Sequence, residues 1–305
     1  MLRRHPFLTA LVAAPLVLTL ALAGLATWWL RSGRMPLAAG ATWMTVQKTA
    51  TSDATPRPDA PIFILAVGSD ARLGETVARG DAIHVIGVNP ATGTGTIIDI
   101  PRDTGAAIPG RGTDKINAAM SAGGPELLAQ TVSNFVGVPI SYVITTNFDG
   151  FMGMVDDLGG VTVNVTRRNV DSFSGANFEV GTVHMNGTQA LAFNRNRHGF
   201  PTGDLQRSEN QGYFILQALT QLRSQNPGPV ATLGLLGNLG RHARLVNLGW
   251  ADAYQLGRLG LSLDPANVKN VRIPVSSGVG TRLQLDAAGA GLFADFRDDA
   301  TLQSH

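Results

Sequence analysis

Residues 7–30 carry no charge, and arginines stand on both sides of the run: Arg3 and Arg4 before it, Arg31 and Arg34 after it. A helix of that length crosses a hydrocarbon core of about 30 Å. The chain is thus expected to be divided between two solvents, with its folded part C-terminal to the run. A cleaved signal peptide is the competing reading, because Ala21-Leu22-Ala23 resembles a cleavage site. Against it, the apolar run continues through Leu25, Trp28, Trp29 and Leu30, with the tryptophans where an interfacial belt puts them. The expectation is an uncleaved single-pass anchor over residues 1–31, including a short cytoplasmic tail. Residues 32–60 lose periodicity, and the stretch from Thr51 to Pro58 reads as an extended linker. A folded core is expected over 61–224, with 225–305 as a C-terminal part of the same domain.

What remains after the anchor and linker is long enough for one large domain, and 44% of the 305 residues are apolar, so a sizeable core is available. A formal net charge of +2 argues against a nucleic-acid binder with a broad basic face. The absence of cysteine excludes disulfides, thiol catalysis and thiolate metal sites. Lys48, Lys115 and Lys269 are the only lysines; every other basic residue of that pair is arginine, whose planar fork suits phosphate. Codon bias accounts for that ratio, but not for where the arginines fall.

Short apolar runs punctuated by Gly and Pro predict strands over 62–67, 82–88 and 96–100, the last stopped by Pro101. Helices are expected over 115–121, 125–135, 148–158, 188–194, 205–222 and 288–296, and further strands over 141–146, 161–165 and 271–273. The irregular alternation reads as a mixed-sheet α/β domain in layers rather than a doubly wound one. The turn signals from Asn89 to Gly95 favour antiparallel neighbours. Strand one then ends at the edge where strand two begins and strand three ends, and Asp70, Arg79, Asp81, Arg102 and Asp103 share that rim. A parallel second strand would instead carry Asp81 to the far edge.

Carboxylates crowded at a rim repel unless a divalent cation or arginines neutralise them. Oxygen-only ligands favour a hard ion such as Mg²⁺, and the same ion and arginines attract a pyrophosphate. Phosphoryl transfer requires chiefly positioning and charge neutralisation. A second cluster follows: Arg195, Arg197 and His198, then Asp204, Arg207 and Gln211. Alternation puts Arg195 and Arg197 on one side of an extended segment, and Asp204, Arg207 and Gln211 share a helix face. On spacing alone an ordinary solvated face, with Asp204 and Arg207 an exposed pair worth little, is the favoured reading of the latter trio. Neither a Walker A motif nor a dinucleotide fingerprint is present.

The series Leu65-Ala66-Val67-Gly68-Ser69-Asp70-Ala71-Arg72, Arg79-Gly80-Asp81, Ile100-Pro101-Arg102-Asp103-Thr104, Lys115-Ile116-Asn117-Ala118-Ala119, Asp156-Asp157-Leu158-Gly159-Gly160-Val161, Gly187-Thr188-Gln189-Ala190-Leu191, Arg195-Asn196-Arg197 and Gly203-Asp204-Leu205-Gln206-Arg207, ending at Gln211, resembles the LytR-CpsA-Psr family of cell-envelope phosphotransferases. The resemblance runs from about residue 62 to 219. It implies a three-layer α-β-α domain with a mixed central sheet and a hydrophobic pocket for a polyprenyl chain. It also implies transfer of a glycopolymer from a polyprenyl-pyrophosphate carrier to an envelope acceptor, typically peptidoglycan, at the outer side of the cytoplasmic membrane. By the same resemblance Asp70 and Asp81 match ligands of Mg²⁺ (or Mn²⁺), and Arg79, Arg102, Arg195, Arg197 and Gln211 match pyrophosphate contacts. Arg79, Arg102 and Asp103 match the catalytic group, Asp103 orienting an arginine or moving a proton. Arg72, Asp204 and Arg207 match its supports. One departure is Ala82, where the family commonly has a hydroxyl residue. The alternative is a non-catalytic envelope scaffold or regulator that binds lipid-linked precursors.

Overall fold

The computed structural model describes residues 60–70, 79–246 and 249–303. The expected anchor, nearly all of the linker, and Arg72 lie outside them. Among the described residues no helix is long and apolar enough to cross a membrane.

Strands β1 (Ile62–Ser69), β2 (Gly80–Asn89) and β3 (Thr94–Asp99) pair as consecutive antiparallel neighbours. The β2–β3 turn explains why. The Asn89 side chain accepts from the amides of Ala91 and Thr92, and Gly93 takes the left-handed φ of 65° that closes the turn. The C-terminal end of β1, the start of β2 and the end of β3 therefore share one edge, as the turn signals predict. In chain order follow the hairpin β4 (Gly105–Ile108) and β5 (Gly112–Lys115), helix α1 (Ala118–Val136), β6 (Tyr142–Thr146) and helix α2 (Phe148–Asp157). Strands β7 (Val161–Val165), β8 (Asn169–Asp171), β9 (Ala176–Phe178) and β10 (Gly181–Met185) lead to helices α3 (Gly187–Arg195), α4 (Asp204–Ser224) and α5 (Pro229–His242). The chain ends with β11 (Arg244–Val246), α6 (Trp250–Ser262), β12 (Val268–Arg272), the hairpin β13 (Val275–Ser277) and β14 (Leu283–Leu285), and α7 (Ala287–Asp299).

The main sheet has six strands in the order β11-β6-β1-β2-β3-β12. It is mixed: β6 runs parallel to β1 and β12 parallel to β3, while the other contacts are antiparallel. Residues beyond 225 thus supply both edge strands of this sheet.

Alternation along the strands sorts side chains onto two faces. On the first face Phe63, Leu65, Val67, Ile83 and Ile98 pack against Leu128 and Val132 of α1 and Phe293 and Phe296 of α7. Phe63 and Phe296 meet edge to face, with centroids 5.2 Å apart. Each such side chain contributes roughly 1.5–3 kcal/mol by leaving water. On the second face Ile64 and Ile144 join the cluster of Ile62 and Tyr142 with Leu236 of α5 and Ala253 of α6, and Ile86 joins that of Val88 and Ile97 with Ile215 and Leu216 of α4. The result is an α-β-α sandwich. Its two helical layers differ in tightness. First-face residues of β1 are wholly buried, whereas Ile64, Ala66 and Gly68 of the same central strand, with Ile86 and Ile144 beside them, keep partial access to solvent. The second layer therefore covers the middle of the sheet less tightly than the first. A smaller lobe has its own core, where Val161, Val163 and Val165 of β7 and Met185 of β10 pack with Phe193 and Phe214.

Two expectations are corrected. Lys115 does not begin a helix but ends β5, because Gly110 and Gly112 adopt φ of 75° and 76° and turn the chain back as a hairpin. The two helices expected over 115–135 are one element kinked at Gly123 and Gly124, with Pro125 resuming the helix.

Candidate active site

The shared edge of β1, β2 and β3 gathers most of the predicted rim. Asp70 follows β1, and its carboxylate Oδ1 accepts from the Arg79 amide at 2.9 Å, while its own amide donates to the Arg79 carbonyl. The residues that flank 71–78 are thereby joined. One residue into β2, Asp81 accepts a 2.6 Å bond at Oδ1 from Arg102 Nη1. Pro101 ends β3, so Arg102 springs from the strand end and turns across the edge. Helix α4 closes the arrangement with its first turn. Asp204 Oδ2 lies 3.6 Å from Arg102 Nε, and Asp204 Oδ1 lies 2.8 Å from Arg207 Nη2. Arg207 also donates to the main-chain carbonyl of Asp81. Charges alternate along this chain: Asp81, Arg102, Asp204, Arg207.

The electrostatics follow from burial. Desolvation weighs against the charge of Arg102, but its hydrogen bond to Asp81 and the charges of Asp204, Asp81 and Asp103 outweigh it and raise its pKa. Arg207 is only 7% exposed. Burial pulls its pKa down; Asp204 opposes that, and the nearby charges of Arg102 and Arg197 add to it. The Asp204–Arg207 contact is close enough for an ion pair but lacks hydrogen-bond alignment. Both Asp204 oxygens, Arg102 Nε and Arg207 Nε are buried without a hydrogen-bond partner. Buried charged groups with unused bonding capacity are costly unless a ligand engages them.

Asp103 turns away from this row toward Lys115, 3.1 Å off, and its carbonyl accepts from the Leu283 amide of β14. Arg195 and Arg197 are exposed with Asn196 buried between them, but Arg195 is the last residue of helix α3, so the two do not share one extended segment as their spacing predicts. Asn196 is pinned by a 2.6 Å bond to Asn169. The Asp171 carboxylate holds the same segment by accepting from the amides of Arg197 and His198. Burial would raise the pKa of Asp171, but bonds from the Phe173, Arg197 and His198 amides and the His198 ring bring it below its usual value. Arg195 stacks over Phe148, 4.8 Å from the ring centroid. Gln211 donates to the Asn194 carbonyl and ties α4 to the end of α3.

The fold thus joins Asp81, Arg102, Asp204 and Arg207 in direct contact and places Asp70 and Arg79 at the same edge. Arg197 is near enough for its charge to act on Arg207. Arg195 contacts Phe148 rather than the rim residues. Lys115 and Asp171 also act as positioning groups, and neither belongs to the rim expected from the strand order. Among the described residues no group of three or more His, Cys, Asp or Glu could hold a metal ion. Asp70 and Asp81 flank the paired ends of β1 and β2, where Ser69 registers with Gly80. That donor set fits a hard divalent ion only if phosphate and water complete its shell, as Mg²⁺ usually requires.

Residues 38–290 match the model of the LytR_cpsA_psr family. The polyisoprenyl-teichoic acid–peptidoglycan teichoic acid transferase TagU of Bacillus subtilis (strain 168) is 40% identical over 156 residues, 51% of this chain and 50% of TagU. TagU of Bacillus mycoides (strain KBAB4) is 44% identical over 160 residues, 52% of this chain and 51% of the relative. The chain spans about half the length of these curated relatives. Among solved structures, TagT bound to LI-WTA superimposes with a TM-score of 0.68 at 25% identity, covering 87% of this chain and 99% of that one. TagV of B. subtilis gives 0.67 at 26% identity, covering 77% and 94%.

Proposed function

The chain belongs to the LytR_cpsA_psr family, and from that premise we propose that it transfers a glycopolymer from a polyprenyl-pyrophosphate carrier to a cell-envelope acceptor such as peptidoglycan. The observation that carries this reading is the alternating row Asp81, Arg102, Asp204, Arg207, with buried charged atoms whose bonding capacity is unused. Arginine donors of this kind take phosphate oxygens in bidentate fashion. Arg79, Arg195 and Arg197 make no ion pair among the described residues, so the wall carries more positive than negative charge. That excess suits a pyrophosphate. We assign the isoprenoid chain of the carrier to the less tightly covered second face, beside the partly exposed Ile64, Ile86 and Ile144. The TagU name and the TagT complex support the same substrate class.

In the proposed step an acceptor hydroxyl oxygen attacks the phosphorus that bears the glycan. A new P–O bond forms, the P–O bond to the polyprenyl phosphate breaks, and that phosphate leaves with the bonding electron pair. Arg102 and Arg207 neutralise the oxygens on which charge gathers, with Arg79, Arg195, Arg197 and Gln211 orienting the donor. Asp103, which pairs with Lys115 at the edge of the row and whose charge acts on Arg102, receives the hydroxyl proton. Mg²⁺ (or Mn²⁺) held by Asp70 and Asp81 would supply further charge neutralisation to the phosphates. We place the domain outside the cytoplasmic membrane, tethered by residues 1–31, within reach of lipid-borne substrate.

The test uses the full-length chain in detergent with a purified lipid-linked glycan, peptidoglycan and Mg²⁺. Transfer is expected, and Arg102→Ala should lower it by on the order of 10²-fold. Tight donor binding without turnover in wild type would favour the scaffold reading instead.

A further inference from the structure

Behind the rim lies a second cross-strand pair that the reaction does not use. His84 of β2 and Asp99 of β3 are register partners, and Nδ1 of His84 lies 2.7 Å from Oδ1 of Asp99. Their side chains are 3% and 0% exposed. His84 stands three residues beyond Asp81 on β2, and Asp99 three residues before Arg102 on the strand that delivers it. The pair sits on the second face, where its neighbours along the strands are Ala82, Ile86 and Ile97. A buried pair of this kind is a poor source of net stability compared with apolar side chains of similar size.

Its position supplies another role. Helix α4 comes down onto the sheet at Gly212. A methyl group there would overlap both Asp99 Oδ1 and Asn270 Oδ1, so only glycine permits the approach. Asn270 of β12 in turn donates to the Glu209 carbonyl of α4. The same helix carries Asp204 and Arg207 to the rim and Gln211 to α3. The depth at which Gly212 seats on Asp99 therefore sets where Arg207 and Asp204 stand relative to Asp81 and Arg102.

We propose that the His84–Asp99 pair is a positioning element of the site: it seats α4 and so fixes the helix-borne half of the charged row against the strand-borne half. The proposal rests on the reading of that row as the pyrophosphate site. The groups that face Asp99 are His84 from β2, Glu209 from α4, and Asn270 and Arg272 from β12. Burial pushes the Asp99 carboxyl up to about 6, while the hydrogen bond and charge of His84 hold it down. The seat thus changes protonation near that pH, and its carboxylate form is the one to which His84 donates.

The experiment measures kcat, donor KM, pH profile and melting temperature of the full-length chain and four variants. In wild type kcat should fall as pH drops through about 6. Asp99→Asn and the apolar double variant His84→Leu/Asp99→Val should melt within a few degrees of wild type, yet lose tenfold or more in kcat, as roughly ångström-scale misplacement does. Donor KM should stay within about twofold and the acid limb near pH 6 should vanish. His84→Gln keeps a donor but removes the charge that lowers the Asp99 pKa. It should retain most of the rate at alkaline pH with its acid limb moved upward. Wild-type kcat and an unchanged acid limb in Asp99→Asn overturn the proposal, whatever the melting temperature. If the double variant does not fold, Asp99→Asn and His84→Gln decide. The fourth variant, Arg102→Ala, separates the two readings. If it too is fully active, the pyrophosphate site is wrong; if it is dead while Asp99→Asn is normal, only the positioning role is.

Discussion

Arg207 is nearly buried, and its guanidinium is tolerable there only because Asp204 lies one turn before it and the Asp81 carbonyl accepts from it. Asp204→Ala should therefore cost about 3–5 kcal/mol in denaturant unfolding, since it strands a buried cation. Arg168→Ala, which breaks an exposed pair with Glu179, should cost under about 1 kcal/mol. Asp99 gives a signed pH dependence. Its carboxyl titrates at about 6 in the fold against 3.8 for the ordinary group, so between those values the native state binds more proton than the unfolded chain. Stability should fall as pH rises through that window, and Asp99→Asn should flatten the slope. Thermal melts at pH 4 to 8 read this directly. The charged rim residues were visible in the sequence because Pro101, Asp204 and the arginines sit at element ends. The His84–Asp99 pair was not, because nothing in one sequence reveals which residues of two strands face one another until register is known.

Strands and helices were legible where their local chemistry was unambiguous. Asn89 and Gly93 dictate the turn that makes β2 and β3 antiparallel, and that direction alone brings Asp81 to Arg102. Lys115 misled because the paired glycines that turn β4 into β5 outweigh the helical look of Lys115 to Ser121. Helices α5 and α6 gave little signal: Gly234, Gly237, Gly240, Gly257 and Gly260 dilute their periodicity, and packing on β6 and β11 stabilises them where propensity does not. The looser cover of the sheet by this layer invites a test at the level of the layer. Ala66→Trp places a ring where Ile64 and Ile144 retain access. It should raise donor KM at least tenfold with melting temperature nearly unchanged, as steady-state kinetics with the lipid-linked donor would show. A large drop in melting temperature would mean that the layers are in fact closed there.

At the scale of the whole molecule, the sheet is finished by its last residues. Strand β11 covers β6, β12 covers β3, and β14 reaches back to the Asp103 carbonyl. A chain truncated after residue 224 should not unfold cooperatively and should aggregate, because both sheet edges and the α7 side of the first-face core are lost. Circular dichroism melts and size-exclusion chromatography of the truncated protein check this. There is a consequence in time as well as in space. Synthesis runs from the N-terminus, so β1, β2 and β3 with their charges exist long before β12 does. Until residues 268–272 arrive, β3 is a bare edge and Asn270 cannot hold α4. A nascent or half-delivered chain therefore owns the chemistry of the rim without its geometry, and the arrival of the far end of the polypeptide is what arms it.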